Sequence, residues 1–199
     1  MSEAPTPGTR DRLIAAMTDA LRRRGLHGIG LNELLQQAGA PKGVLYHHFP
    51  GGKTELAIAA IDDVVDRMLA GLEKLLAATP DPLEATRRWM AGATARLQDS
   101  GFEAGCPLAT VGLESTPDDT ALREALASAF ARMRDRIARG LVEGGHPDAQ
   151  AQGIAALIVA AYEGGLLQAR VAQNPQPILQ ATHTLLALLE GLSPKEKTP

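Results

Sequence analysis

Residues 31–38 and 42–49 form two short helical segments separated only by Gly39-Ala40-Pro41. The first, Leu31-Asn-Glu-Leu-Leu-Gln-Gln-Ala38, turns Leu31, Leu34 and Leu35 to one side. Gly39 then supplies the positive-φ residue that a tight helix-to-helix turn requires. Pro41 stands at the first position of the next helix, where a missing N–H costs nothing, and Pro50-Gly51-Gly52 closes that helix. Two helices this short, locked through a small residue and a glycine, follow helix-turn-helix grammar, in which the second helix can enter a major groove. The second helix fits such a role, because Lys42, Tyr46, His47 and His48 are polar or amphipathic on an element too short to be needed for a core.

The rest of the 199-residue chain is helical by composition. Ala and Leu number 34 and 28, against 7 Val, 8 Ile and six aromatics, so helix formers greatly outnumber the β-branched and aromatic residues that build strands. The chain is expected to be all-α. Helices are predicted over 10–24, capped by Thr9 and stopped by Gly25, and in the body over 53–78, 81–100, 106–115, 118–143, 147–173 and 177–192. Three segments follow: a head over 1–53, a body over 54–192 and a disordered tail over 193–199. The longest uninterrupted apolar run, about ten residues near 155–162, falls short of the roughly 20 that span a bilayer. The amino terminus has an acid and two prolines and no apolar h-region, so it does not read as a secretory signal. A soluble, cytoplasmic protein with no membrane partner is expected. The lone Cys106 excludes an intramolecular disulfide framework and a cysteine-based zinc finger.

Charge divides along the chain. Residues 1–53 carry seven Lys/Arg against four Asp/Glu, a balance of +3, and the remainder carries 13 against 19, a balance of −6. A basic head on an acidic body suits a protein that meets a polyanion with one end only. Adjacent His47 and His48 do not make a metal site, since neighbours on a helix point about 100° apart. No metal is expected.

The run Ala38-Gly39-Ala40-Pro41-Lys42-Gly43-Val44-Leu45-Tyr46-His47-His48-Phe49 resembles the DNA-binding signature of the TetR family of bacterial regulators. Phe49-Pro50-Gly51-Gly52-Lys53, with Gly105-Cys106-Pro107-Leu108 and Leu113-Glu114 further on, resembles the LmrA/YxaF-type subgroup. The resemblance implies that Lys42, Gly43, Leu45, Tyr46 and His47 face the groove or its walls, with Tyr46 and His48 on phosphates. It implies that Lys53 fixes the DNA backbone, and that Leu34, Leu35, Ala38, Val44 and Phe49 pack internally. The chain departs from the broad family at two caps, where Gly30 and Pro41 replace the usual Ser/Thr.

Two roles fall to the body. The last two helices carry Ile154, Ala155, Leu157, Ile158, Ala161 and Tyr162, then Ile178, Leu179, Leu185, Leu186, Leu188 and Leu189, with Gly164-Gly165 allowing close approach. This is more apolar surface than one partner helix covers, and it points to a four-helix bundle across the twofold axis of a homodimer. By family resemblance the middle helices enclose a small-molecule site. Its candidate lining is Met68, Trp89, Met90, Phe102, Cys106, Phe130, Met133 and Tyr162, with Glu163 as a polar orienting group. The expectation is a ligand-responsive transcriptional regulator, a repressor on a palindromic duplex released by an apolar or aromatic effector, with no cofactor. Two rivals are a thiol-sensing repressor acting through Cys106, at a helix start where a thiol's pKa falls, and a helical adaptor that does not bind DNA. An enzyme is not expected, because no Ser-His-Asp order, Gly-rich phosphate loop or paired carboxylate stands out.

Overall fold

The computed structural model describes residues 8–191; the expectations for the amino terminus before Gly8 and for the 193–199 tail lie outside them. Among the described residues there are nine helices and no strand: α1 (Thr9–Arg23), α2 (Leu31–Ala38), α3 (Lys42–His48), α4 (Gly52–Ala78), α5 (Pro82–Asp99), α6 (Pro107–Glu114), α7 (Thr120–Glu143), α8 (Asp148–Ala172) and α9 (Gln176–Glu190). The chain divides into two compact units, Met1–Val64 with Pro107–Ala127, and Val65–Cys106 with Ser128–Pro199. The division therefore falls within α4 and α7, and α6 belongs with the head.

In the first unit α1 packs on α2, α3 and α6. Its apolar stripe, Leu13, Ile14, Met17, Ala20 and Leu21, is buried, as the helical period of the sequence requires. Gly39 ends α2 in the left-handed conformation at φ 58°, and its N–H and that of Ala40 satisfy the carbonyls of Gln36 and Leu35. The Arg12 guanidinium donates to the carbonyl of Ala38 at 3.1 Å, which ties α1 to the end of α2. Two caps differ from expectation. Gly8 rather than Thr9 precedes α1, and the Thr9 hydroxyl accepts from Arg12 at 3.2 Å instead. Pro41 is the residue before α3, not its first.

In the second unit α8 and α9 pack closely. A Cβ on Gly165 would lie 3.0 Å from Ile178 Cγ1, closer than a methyl group tolerates, so glycine sets the distance between these helices. Both also pack on α5, which opens on an Asp81 cap accepting from the Leu83 N–H at 2.9 Å. Arg132 and Arg136 of α7 pair with Asp66 and Glu73 of α4. Judged by length and composition, α8 is long and apolar enough to cross a membrane, a property hidden when only uninterrupted apolar residues are counted. Its residues Ala151, Ile154, Ala155, Ile158, Val159, Tyr162, Leu166 and Ala169 are buried within the protein, the signature of a core helix.

Candidate nucleic-acid interface and effector site

Helix α3 presents Lys42, Gly43, Tyr46 and His47 to solvent. Positions i, i+1, i+4 and i+5 share one side of a helix, so these four make a single face. Tyr46 is 45 % exposed, and its ring lies 3.3 Å from where a Cβ on Gly52 would stand. That glycine has φ +70°, and the absence of a side chain lets the ring lie over the start of α4. A Cβ on Gly43 would meet nothing within 4 Å. Glycine inside a helix costs up to about 1 kcal/mol relative to Ala, and no internal packing explains it here. His48 is half-buried, its ring 5.1 Å from His47 and 6.4 Å from Phe49.

Three of the sequence expectations change. Leu45 is fully buried; the helical period turns it away from Tyr46, so it anchors α3 to the head and does not face a groove. Val44, expected to be internal, is half-exposed. The charge of Lys53 points inward. Its ammonium donates to the carbonyls of Leu26 at 2.5 Å and Ile29 at 2.6 Å, and burial lowers its pKa while the carboxylate of Glu114 raises it. Lys53 thus braces the loop between α1 and α2 with the group expected to fix the DNA backbone. The Arg10 guanidinium lies 5.5 Å from the centre of the Phe49 ring, a cation–π contact that steadies the end of α3.

The nine candidate effector residues all fall in the second unit. Trp89, Met90, Cys106, Met133 and Tyr162 are buried, while Met68, Phe102, Phe130 and Glu163 are partly exposed. The structure brings four of them into two pairs. Trp89 of α5 stacks on Tyr162 of α8, ring centres 4.5 Å apart and planes 23° from parallel. The Cys106 thiol donates to Glu163 Oε1 at 3.1 Å. Met90 Sδ accepts from the Thr182 hydroxyl of α9 at 3.7 Å. Glu163 Oε2 is buried and has no hydrogen-bond partner, an unusual state for a carboxylate oxygen.

Two family models match the chain. Residues 13–60 match the bacterial regulatory proteins of the tetR family, and residues 82–184, more than half of the chain, match the C-terminal domain of LmrA/YxaF-like transcriptional regulators. The chain belongs to the TetR family. The HTH-type transcriptional regulator LmrA of Bacillus subtilis is 28% identical over 182 residues, covering 92% of this chain and 97% of LmrA. Among solved structures, a regulatory protein TetR from Rhodobacter sphaeroides superposes with a TM-score of 0.80 at 25% identity, covering 90% of this chain and 97% of that one. The regulator CifR, solved as a cysteine mutant with a 26-bp operator duplex, gives 0.75 at 23% identity, covering 92% and 98%.

This TetR-family protein is therefore a DNA-binding transcriptional regulator with an all-helical fold, and the family and these relatives are regulators, not enzymes. Its first matched segment contains α2 and α3, and the second contains Trp89, Cys106, Tyr162 and Glu163. Burial raises the Glu163 carboxyl to a pKa of about 7, offset only in part by the Cys106 hydrogen bond. A raised carboxyl pKa means that the folded regulator holds a proton which the unfolded chain has already released. Stability from this group is full below about pH 4.5 and is lost as pH rises to about 7. At 1.36 kcal/mol per pKa unit the loss approaches about 3 kcal/mol. Glu163→Gln keeps an acceptor for Cys106 without the charge. It should therefore raise Tm at pH 8 by about 6–12 °C and leave Tm at pH 4 nearly unchanged. Thermal melts of both proteins at the two pH values check this, and equal gains at both would show that the Glu163 charge is not the cause.

Proposed function

We propose that this regulator is a cytoplasmic repressor that binds a palindromic operator as a homodimer and releases it when a small apolar or aromatic effector binds the second unit. The observation that carries the DNA-binding part is the α3 face of Lys42, Gly43, Tyr46 and His47, exposed on a helix anchored by buried Leu45. Lysine and the hydroxyl and imidazole groups can donate to phosphates and base edges, and Gly43 lets the backbone approach. The solved complex of CifR with operator DNA supports the same use of this fold. Homodimer formation is supported by Leu157, Leu167 and Val171 of α8 and Leu188 of α9, exposed although large and apolar. A twofold dimer would place two α3 helices about one turn of DNA apart.

The effector site is supported by two separate features of the second unit, the stacked pair Trp89–Tyr162 and the buried carboxyl of Glu163. A group that costs the fold stability at neutral pH, with one oxygen unpartnered, is better explained by a ligand than by folding. Cys106 fits the lining of such a site better than a reactive thiol, because it is buried and its thiol donates to Glu163 Oε1. Cys106→Ser should accordingly leave release from DNA by peroxide or quinone unchanged; release that disappears in the variant would restore the thiol-sensing reading.

The test of the proposal is selection of sheared genomic DNA by the purified protein, sequenced and repeated with Tyr46→Phe. Enrichment of one palindrome, weakened but not altered in sequence by the substitution, is expected from a phosphate contact. A changed preferred site would move Tyr46 to base readout, and enrichment of nothing by the wild-type protein would favour the adaptor reading.

A further inference from the structure

The loop between α1 and α2 is held from two sides by charges the sequence does not place near it. Gly25 has φ +77°, a conformation that L side chains rarely adopt. A Cβ there would lie 2.3 Å from Glu114 Oε1, so the absence of a side chain makes the seat in which the Glu114 carboxylate rests. From that seat Glu114 Oε2 accepts the N–H of Leu26 at 2.5 Å. On the next residues the Lys53 ammonium takes the carbonyls of Leu26 and Ile29. Lys53 and Glu114 also attract each other directly. One loop thus has its amide held by an anion at the end of α6 and its carbonyls held by a cation at the start of α4. The same loop delivers the chain to α2, the first helix of the helix-turn-helix. Hydrogen bonds to charged groups are worth more than neutral ones and lose most when one partner is removed.

We infer that Glu114 is a positioning residue for DNA binding: its carboxylate, seated on Gly25, fixes the α1–α2 loop and through it the orientation of α2 and the recognition helix α3. The inference rests on the reading of α3 as the groove-facing helix. It assigns to α6, which the family resemblance leaves in the body, a part in the head itself.

The experiment compares wild type, Glu114→Ala and Glu114→Gln at 15 °C, where folding is verified by circular dichroism. The probes are the duplex that wild type selects from genomic DNA and a 40-bp duplex of random sequence. Glu114→Ala should weaken binding to the selected duplex about tenfold or more, a change of about 1.4 kcal/mol, while random-duplex affinity changes by less than about twofold. Glu114→Gln, which retains an acceptor for Leu26, should recover part of the loss. Gly25→Ala fills the seat and should mimic Glu114→Ala, and the double variant should lose less than the two single losses combined. A contact that only stabilises the fold would leave the affinity of folded protein unchanged, and that result overturns the inference. Hydrogen exchange without DNA separates this from the regulator reading. Glu114→Ala should speed exchange at Leu26 and through α2 and α3, and an effect confined to Leu26 overturns the inference whether or not wild type selects a duplex. A wild-type protein that selects no duplex while exchange spreads into α3 would sink the regulator reading and leave the latch on the loop standing.

Discussion

Raising salt from 50 to 200 mM should weaken binding of this regulator to its selected duplex by about 10³–10⁵, with log affinity falling linearly against log salt concentration. The slope counts phosphates neutralised, close to 0.9 per contact, and a dimer making six to ten contacts gives this range. In each head Lys42 is exposed on the proposed recognition face, next to the exposed His47. Tyr46, itself uncharged, adds a hydroxyl donor. Lys53 should contribute little to the slope, because its ammonium is engaged with two backbone carbonyls. Lys42→Ala should reduce the slope by about two for the dimer, one per head; Lys53→Ala should lower affinity through loss of head geometry with the slope nearly unchanged. Filter-binding or fluorescence anisotropy titrations across the salt range read both quantities. A flat salt dependence for the wild type would exclude the operator reading in favour of a helical adaptor. Equal slope changes for the two lysines would mean that Lys53 swings out onto DNA in the complex.

The parts of the molecule legible in the sequence are those fixed by local chemistry. Gly39 supplies a positive φ wherever the chain turns so tightly, and the stripe on α1 follows from the helical period. Close approach at Gly165 follows from the absence of a side chain. Leu45 shows where reasoning from a motif loses to periodicity. The signature runs through consecutive residues, and treating the run as one surface places Leu45 beside Tyr46, although successive side chains on a helix diverge by about 100°. The apolar character of Leu45 was the available signal, and its burial confirms it.

What the sequence hid depends on contacts between distant residues. Lysine at a helix start reads as a displayed charge, and only the position of the α1–α2 loop, 24–27 residues earlier, shows that Lys53 is turned inward. Glu114 lies 88 residues from the amide it holds. The subgroup motif includes Leu113-Glu114, but nothing in it tells which backbone group the carboxylate holds, and the grouping of Pro107–Ala127 with the head was hidden for the same reason. In the candidate effector site, composition could assemble aromatic and sulfur-containing residues but could not choose between them. The fold selects Trp89 with Tyr162 and Cys106 with Glu163.

The remaining large effect tests the dimer. Leu157 and Val171 are 51 % and 78 % exposed on α8, fourteen residues apart and within about 40° of each other around the helix. With Gly164 between them they share one side of α8, a stripe that Gln168 alone interrupts with an exposed polar group between Gly164 and Val171. Replacing both by Glu places a carboxylate at each end of that stripe. Because both positions are exposed, stability within one subunit should change by no more than about 0.5 kcal/mol for each. A twofold interface sets each new charge in a surface repeated on the partner, so four carboxylates would have to be desolvated to form the dimer. The doubly substituted protein is therefore expected to elute as a monomer with an unchanged circular dichroism spectrum. Operator affinity should fall by about 10²–10⁴, the advantage that linkage gives a second head once the first is bound, while affinity for a single half-site duplex should be unchanged. Light scattering at several concentrations and titration against full-site and half-site duplexes separate these outcomes. A variant that remains dimeric and keeps its full-site affinity would move the interface away from the α8 stripe. One that becomes monomeric but keeps full-site affinity would remove dimerisation from the mechanism of operator binding.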